Sequence, residues 1–159
     1  MTLRHALAAC LLCLPLYAQA AQPGDPVPAF TLLDQFDAPF TLGPDTQLIL
    51  VARSMSAAKL MDAALKDQPS GYLEARHAVY VADIERMPAV AKVFAIPSMR
   101  SAKYRILLDQ QARVAGPLDG DRDTVQWLAV RGGKVAEVKK FADAQQLRAA
   151  LEGVAKAAS

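Results

Sequence analysis

Residues 48–61, Leu48-Ile-Leu-Val-Ala-Arg-Ser-Met-Ser-Ala-Ala-Lys-Leu-Met61, decide the fold. Five consecutive apolar residues, Leu48 to Ala52, have the length and composition of a strand covered on both faces. Ser54 then offers an N-cap, because its side-chain oxygen can accept from a backbone N–H of the first helical turn. Met55 to Lys66 is rich in Ala, Leu, Met and Lys, residues that lose little freedom in a helix. The stretch therefore predicts a buried strand turning straight into a helix.

Outward from this junction, the same signals extend in both directions. Upstream, Pro26 and Pro28 favour an extended arm, and Phe30 with Leu32, then Phe40 with Leu42, alternate like short edge strands. Downstream, Ala78 to Asp83 predicts a second buried strand. Pro88 suits the first turn of a helix whose apolar stripe is Val90, Val93 and Phe94, with Pro97 as its stop. Val125 to Val130, Arg131-Gly-Gly-Lys134 and Val135 to Val138 read as a hairpin, its Gly pair supplying the positive φ of a tight turn. Asp143 caps a last helix with Gln146 at the capping-box position, and Leu147, Leu151 and Val154 share one face. No internal repeat or linker interrupts the order.

The chain has 159 residues, 53% of them hydrophobic and 21% charged, with a formal net charge of +2. That describes one globular domain with a real core, not a disordered chain. No basic run interleaved with aromatics suggests nucleic acid. Residues 1–20 read as a secretory signal peptide: Arg4 and His5 form the n-region, Ala6 to Leu16 the apolar h-region, and Ala18-Gln-Ala20 the cleavage site. Cleavage after Ala20 predicts a periplasmic or secreted protein spanning residues 21–159, without a membrane anchor. A rival reading takes Leu7-Ala-Ala-Cys10 as a lipobox. Both cysteines, Cys10 and Cys13, lie in the leader, so the mature protein is expected to have none. In an oxidising compartment such a chain can neither hold nor exchange a disulfide, because the thiolate is the required nucleophile.

A family resemblance adds to this reading. Gly24-x-x-x-Pro28-x-Phe30-x-Leu32-x-Asp34, a turn, a short strand and then the main strand resemble the opening of peroxiredoxins (the AhpC/TSA group) and TlpA-like thiol-disulfide proteins. The resemblance covers about residues 23–156, with Tyr104 to Asp109 resembling the family's intervening strand and Gln110 to Arg113 the turn after it, and implies an α/β thioredoxin-like fold, a central mixed β-sheet flanked by helices in a single domain. It also implies a reactive Cys-x-x-Cys at the strand–helix junction. Laid on this chain, the two cysteine positions fall at Met55 and Ala58, with Ser56 and Ala57 between them. The family's cis-proline would fall within Asp123 to Val125, where Asp123 and Thr124 stand and no proline occurs; Pro97 lies a strand too early and Pro117 several residues short. A further likeness, to small exported YtfJ-type proteins, rests on Arg53 to Lys59.

Two functions compete on this basis. One is a non-catalytic exported module that binds a protein, a peptide or a small anion through the degenerate active-site face. Its candidate residues are Arg53, Ser54, Met55, Ser56, Ala58, Lys59, Asp123 and Thr124. Arg53, Ser54, Ser56 and Lys59 surround a helix N-terminus, where unpaired N–H groups and the positive dipole end could hold an anion. On the blander alternative Ser54 only caps the helix and Arg53 and Lys59 are surface charges. Charge reversal at Arg53 is expected to leave folding intact but to weaken binding if the anion site is real, and to leave binding unchanged on the blander alternative. The other function is a thiol-disulfide oxidoreductase or peroxidase, which needs a cysteine retained from the leader. No cofactor motif is present, and no metal is expected. Met55, Met61, Met87 and Met99 could serve as soft ligands but suit core filling. Asp119, Asp121 and Asp123 resemble a calcium loop only until its missing twelfth-position Glu, and read as a solvated turn. His77, just before a strand, reads as a strand-end histidine.

Overall fold

The computed structural model describes residues 20–157. The leader, with Cys10, Cys13 and the lipobox, lies outside the described residues save for Ala20. The elements run β1 (Thr31–Asp34), β2 (Pro39–Thr41), β3 (Leu48–Ala52), α1 (Met55–Leu65), a 3-10 turn (Glu74–Arg76), β4 (Ala78–Asp83), α2 (Ala89–Met99), β5 (Leu107–Asp109), β6 (Val125–Arg131), β7 (Lys134–Phe141) and α3 (Ala144–Ala157).

The seven strands form one mixed sheet in the order β2-β1-β5-β4-β3-β6-β7. The expected buried strand is its central one. All five residues of β3 are buried, because β4 pairs parallel on one side, β6 antiparallel on the other, and both faces are covered. Leu48, Leu50 and Ala52 point into one core, Ile49 and Val51 into a second core on the opposite face.

Connection geometry places the helices. From β3 to β4 and from β4 to β5 the chain crosses between parallel neighbours, stepping the same way across the sheet each time. Right-handed crossovers that step the same way put both helices on one face. α1 buries Ala57, Met61, Ala64 and Leu65 against that face, and Ile96 and Met99 of α2 pack on the same core. α3 joins α1 there through Leu147 and Leu151, both fully buried. Each such leucine stabilises by roughly 2 kcal/mol. The opposite face carries no helix among the described residues. It is closed by the arm leading into β1 and by residues 111–118, which bring Val27, Phe30, Val114, Ala115 and Leu118 onto Ile49, Val51, Leu128 and Val130.

Side chains stand in for ladder bonds at two corners. Gln35 is buried just past β1, its Nε2 donating to the Tyr104 carbonyl at 2.9 Å and its Oε1 accepting the Ile106 N–H at 2.9 Å. The predicted strand Tyr104–Asp109 is therefore shortened to Leu107–Asp109, since β1 ends opposite Leu107 and a side chain takes over the pairing. Asp109, fully buried, accepts the N–H groups of Arg113, Val114 and Ala115 and folds the segment after β5 back on itself.

The β6–β7 hairpin turns at Gly132 and Gly133, with φ of 57° and 72°, as the Gly pair predicts. A register shift at Ala129/Val130 puts Val138 opposite Leu128 but Val135 opposite Val130. The bulge thus resets the alternation, so that both valines face the helix-free side.

Two expectations about the second helix are corrected. Pro97 does not stop it: the helix runs on to Met99 with Pro97 inside its last turn, at the cost of the hydrogen bond an N–H there would give the Val93 carbonyl. The stripe Val90, Val93 and Phe94 does not face the core either. These residues are 70%, 67% and 74% exposed, because the sheet side of α2 is taken by Ile96 and Met99.

Candidate functional site

The strand–helix junction forms as its residues predict. Ser54 takes extended dihedrals and its Oγ accepts the Ala57 N–H at 3.1 Å, capping α1. Met55 and Ala58, on which the resemblance lays its two cysteines, line a cleft of about 420 Å³ at the C-terminal ends of β3 and β4. Arg53, Ser54, Met55, Ala58 and Arg122 meet there, with Met87 and Met99 from the α2 side. Met55 is 57% exposed, whereas Ser56 and Lys59 project to solvent.

Arg53 departs from both sequence readings. It is only 5% exposed, so it is not a surface charge. Its guanidinium donates to the carbonyls of Leu118 at 2.6 Å, Asp119 at 2.8 Å and Gly120 at 2.9 Å. Gly120, at φ 79°, gives that loop the left-handed turn that aims successive carbonyls at one cation. Nη1 and Nη2 are thereby spent on the protein itself, and Nε is buried without a partner. Burial, and then the nearby charge of Arg122, pushes the Arg53 pKa below its ordinary value.

The loop before β6 is held from the same place. Arg122 donates to the Arg53 carbonyl at 2.5 Å and to the Asp83 carboxylate at 3.0 Å, tying the position of the family's proline to the ends of β3 and β4. Asp123 and Thr124 do not reach the cleft lining. Asp123 is exposed, its N–H donating to the Asp121 carboxylate at 2.9 Å, and the Thr124 hydroxyl donates to the Asp121 carbonyl at 2.8 Å. Among the described residues no peptide bond is cis. The acids of this loop face solvent, Asp119 pairing with Lys140 at 3.3 Å.

The sequence reading missed Arg122 and Asp83 as site residues, and weighed Met87 and Met99 only as soft ligands or core filling. Only Arg122 carried a local signal, as the one cation among three alternating aspartates. At the cleft's inner edge the Tyr104 hydroxyl donates to the Asp62 carboxylate of α1. Burial first, and Asp62 second, push the Tyr104 phenol above its ordinary value, and burial does the same to Tyr80 beneath it. Met61 is fully buried in the core against which Met87 and Met99 also pack. His77 stands at the start of β4 with Nδ1 3.5 Å from Asp45. Among the described residues no cluster of three His, Asp or Glu side chains could hold a metal ion, and no helix is long and apolar enough to cross a membrane.

No protein-family model matches the chain, and no curated relative matches it. Solved structures do. A putative protein disulfide isomerase from Bacteroides thetaiotaomicron superposes with a TM-score of 0.58 at 15% identity, over 84% of this chain and 88% of its own. The peroxidoxin BcpB from Mycobacterium tuberculosis gives 0.57 at 18% identity, over 86% and 97%. A putative thiol:disulfide interchange protein DsbE from Chlorobium tepidum gives 0.57 at 19% identity, over 87% and 99%. The chain therefore has the thioredoxin-like fold expected of it, the fold of peroxiredoxin-like and thiol-disulfide proteins. At these identities the likeness defines the fold and assigns no activity.

Proposed function

We propose that this is an exported, non-catalytic docking protein that holds an apolar segment of another exported protein on the face built by the N-terminus of α1 and by α2. One observation carries the reading: Met55, Val90, Val93 and Phe94 are all more than half exposed, on the two helices that border the cleft. Large exposed apolar side chains sharing one helix face, as Val90, Val93 and Phe94 do, mark an interaction surface; of the four, only Met55 lines the cleft itself. A small anion fits less well, because Arg53 is consumed by loop carbonyls and Arg122 by Asp83. A redox role needs a thiolate, and Met55 and Ala58 cannot supply one. Export, cleavage after Ala20 and absence of cysteine from the mature chain belong to the same proposal and rest on the leader's pattern.

Site-specific photo-crosslinking in the exported compartment tests it, with the probe at Ser56 and a control probe at Lys139. The expected result is a discrete adduct from Ser56, absent from Lys139 and lost in a Phe94→Ser background. No adduct from Ser56, or equal labelling from both positions, would sink the proposal.

A further inference from the structure

The helix-free face of the sheet holds a cavity of about 710 Å³, on the far side from the cleft. Its floor is Ile49 of β3, Leu128 of β6 and Val135 of β7, on three adjacent strands and almost shut off from water. The bulge in the last hairpin is what brings Val135 into that floor. The roof is the arm through Val27 and Phe30, and the far wall is Val114, Pro117 and Leu118.

The roof is pinned at both ends. The N–H groups of Gly24 and Val27 donate to the carbonyls of Val135 at 2.7 Å and Gly133 at 2.9 Å, and the Asp25 carbonyl accepts the Val135 N–H at 2.9 Å. At the other end the Phe30 carbonyl accepts the Leu42 N–H at 3.0 Å, just before β1 begins. Between the pins stands Pro28, which has no N–H to give, so the arm bridges the sheet face without pairing to it. The cavity thus follows from the topology. Both crossovers send their helices to the other face, and an extended arm is too thin to fill the space a helix would occupy. Its volume is in the range of about 300–1,000 Å³ usual for small-molecule sites.

The lining is apolar apart from Thr31 and two charged residues, Asp25 and Arg113. The Asp25 carboxylate already accepts the Gln22 N–H at 2.8 Å. The Arg113 guanidinium is exposed and makes no hydrogen bond or ion pair among the described residues, while its backbone N–H is anchored on Asp109. An apolar floor rejects a wholly polar ligand. A free guanidinium at the edge favours a head group that can accept both arms of its fork. We infer that this cavity binds a single-chain amphiphile with a carboxylate head, its hydrocarbon chain lying between the arm at Val27 and Phe30 and the wall at Val114 and Pro117, above the buried floor, and its carboxylate on Arg113.

The test titrates the exported protein with dodecanoate and, separately, with dodecanol, and follows methyl resonances. Dodecanoate is expected to bind saturably at one site and to shift the methyls of Ile49 and Leu128 but not that of Met55. Arg113→Gln, a substitution at an exposed side chain, is expected to weaken dodecanoate about tenfold, the scale of one charge-assisted pair, and to leave dodecanol unchanged. Val27→Trp, which fills the roof side, is expected to abolish binding of both at an unaltered melting temperature. No saturable binding of dodecanoate to the wild-type protein, shifts centred on Met55 and Val93, or equal weakening of acid and alcohol by Arg113→Gln would each overturn the inference.

Discussion

Arg53 shows how one side chain can change role when its surroundings are folded. In the sequence it stands next to a capping serine and reads as a charge free to meet an anion or water. In the fold it is the core of a loop, gathering the carbonyls of Leu118, Asp119 and Gly120, of which only that of Asp119 also accepts from the Gln126 amide. Arg53→Met is therefore expected to destabilise by roughly 2–4 kcal/mol, because it strands buried acceptors, whereas Lys59→Met should stay within about 0.5 kcal/mol, as exposed substitutions do. Urea unfolding compares the two, and coincident midpoints would remove Arg53 from the loop's support. Charge reversal at Arg53 is likewise expected to unfold the loop rather than to leave folding intact. Tyr104 carries a pH dependence of definite sign. The fold favours its neutral phenol, through burial and the bond to Asp62, whereas in the unfolded chain the group ionises near its ordinary value of 10.0. The contribution is thus fully present below pH 10 and is lost as pH rises above it. Tyr104→Phe should cost roughly 1 kcal/mol at neutral pH, and the difference from wild type should shrink above pH 10; a constant difference up to pH 11 would contradict the assignment.

At the scale of elements, α1 and α2 contrast in what holds them. α1 has a side-chain cap and four buried residues, whereas α2 buries none fully, has no side-chain cap and carries Pro97 in its last turn. Local stability follows buried apolar contacts, so the amides of α2 should exchange with solvent faster than those of α1. The pair Val93→Ser and Phe94→Ser is expected to change stability by no more than about 0.5 kcal/mol each, since neither side chain leaves a core. Both should nevertheless reduce crosslinking at Ser56. A large drop in melting temperature would instead mean that these side chains support the fold. The helix itself was legible as an apolar 3.6-residue pattern following Pro88. Which of its apolar positions face inward was not, because α2 carries apolar residues on more than one side and only the crossover decides which side meets the sheet.

For the whole molecule, the sheet order and the one-sided helices define two surfaces with separate consequences. The helical face ends in the cleft lined by Met55 and Ala58, and the other face is roofed by an arm. If the leader is removed after Ala20, intact mass will match a start at Ala21, Ellman's reagent will find no thiol, and dithiothreitol will leave the melting temperature unchanged. A detected thiol would mean that Cys10 or Cys13 is retained and would restore the oxidoreductase reading, because a single activated cysteine is what that chemistry lacks here. The docking proposal and the amphiphile site stand on opposite faces, so a failure of either leaves the other to its own test.

Local chemistry by itself determined much of this protein. The run Leu48 to Ala52 had to be a strand buried on both faces, Ser54 a cap, Gly132-Gly133 a tight hairpin and Asp143 the start of a last helix. These follow from hydrophobic period, capping geometry and backbone freedom within a few residues, which is why the α/β sheet and its strand–helix junction were readable. Tertiary structure alone decided that Arg53 is buried against Leu118–Gly120, that Arg122 ties Asp83 to the loop before β6, that Val90, Val93 and Phe94 face outward, and that one sheet face is left without a helix. Each of these depends on contacts between residues far apart in the chain, set by the direction of the crossovers, and no local pattern encodes that direction.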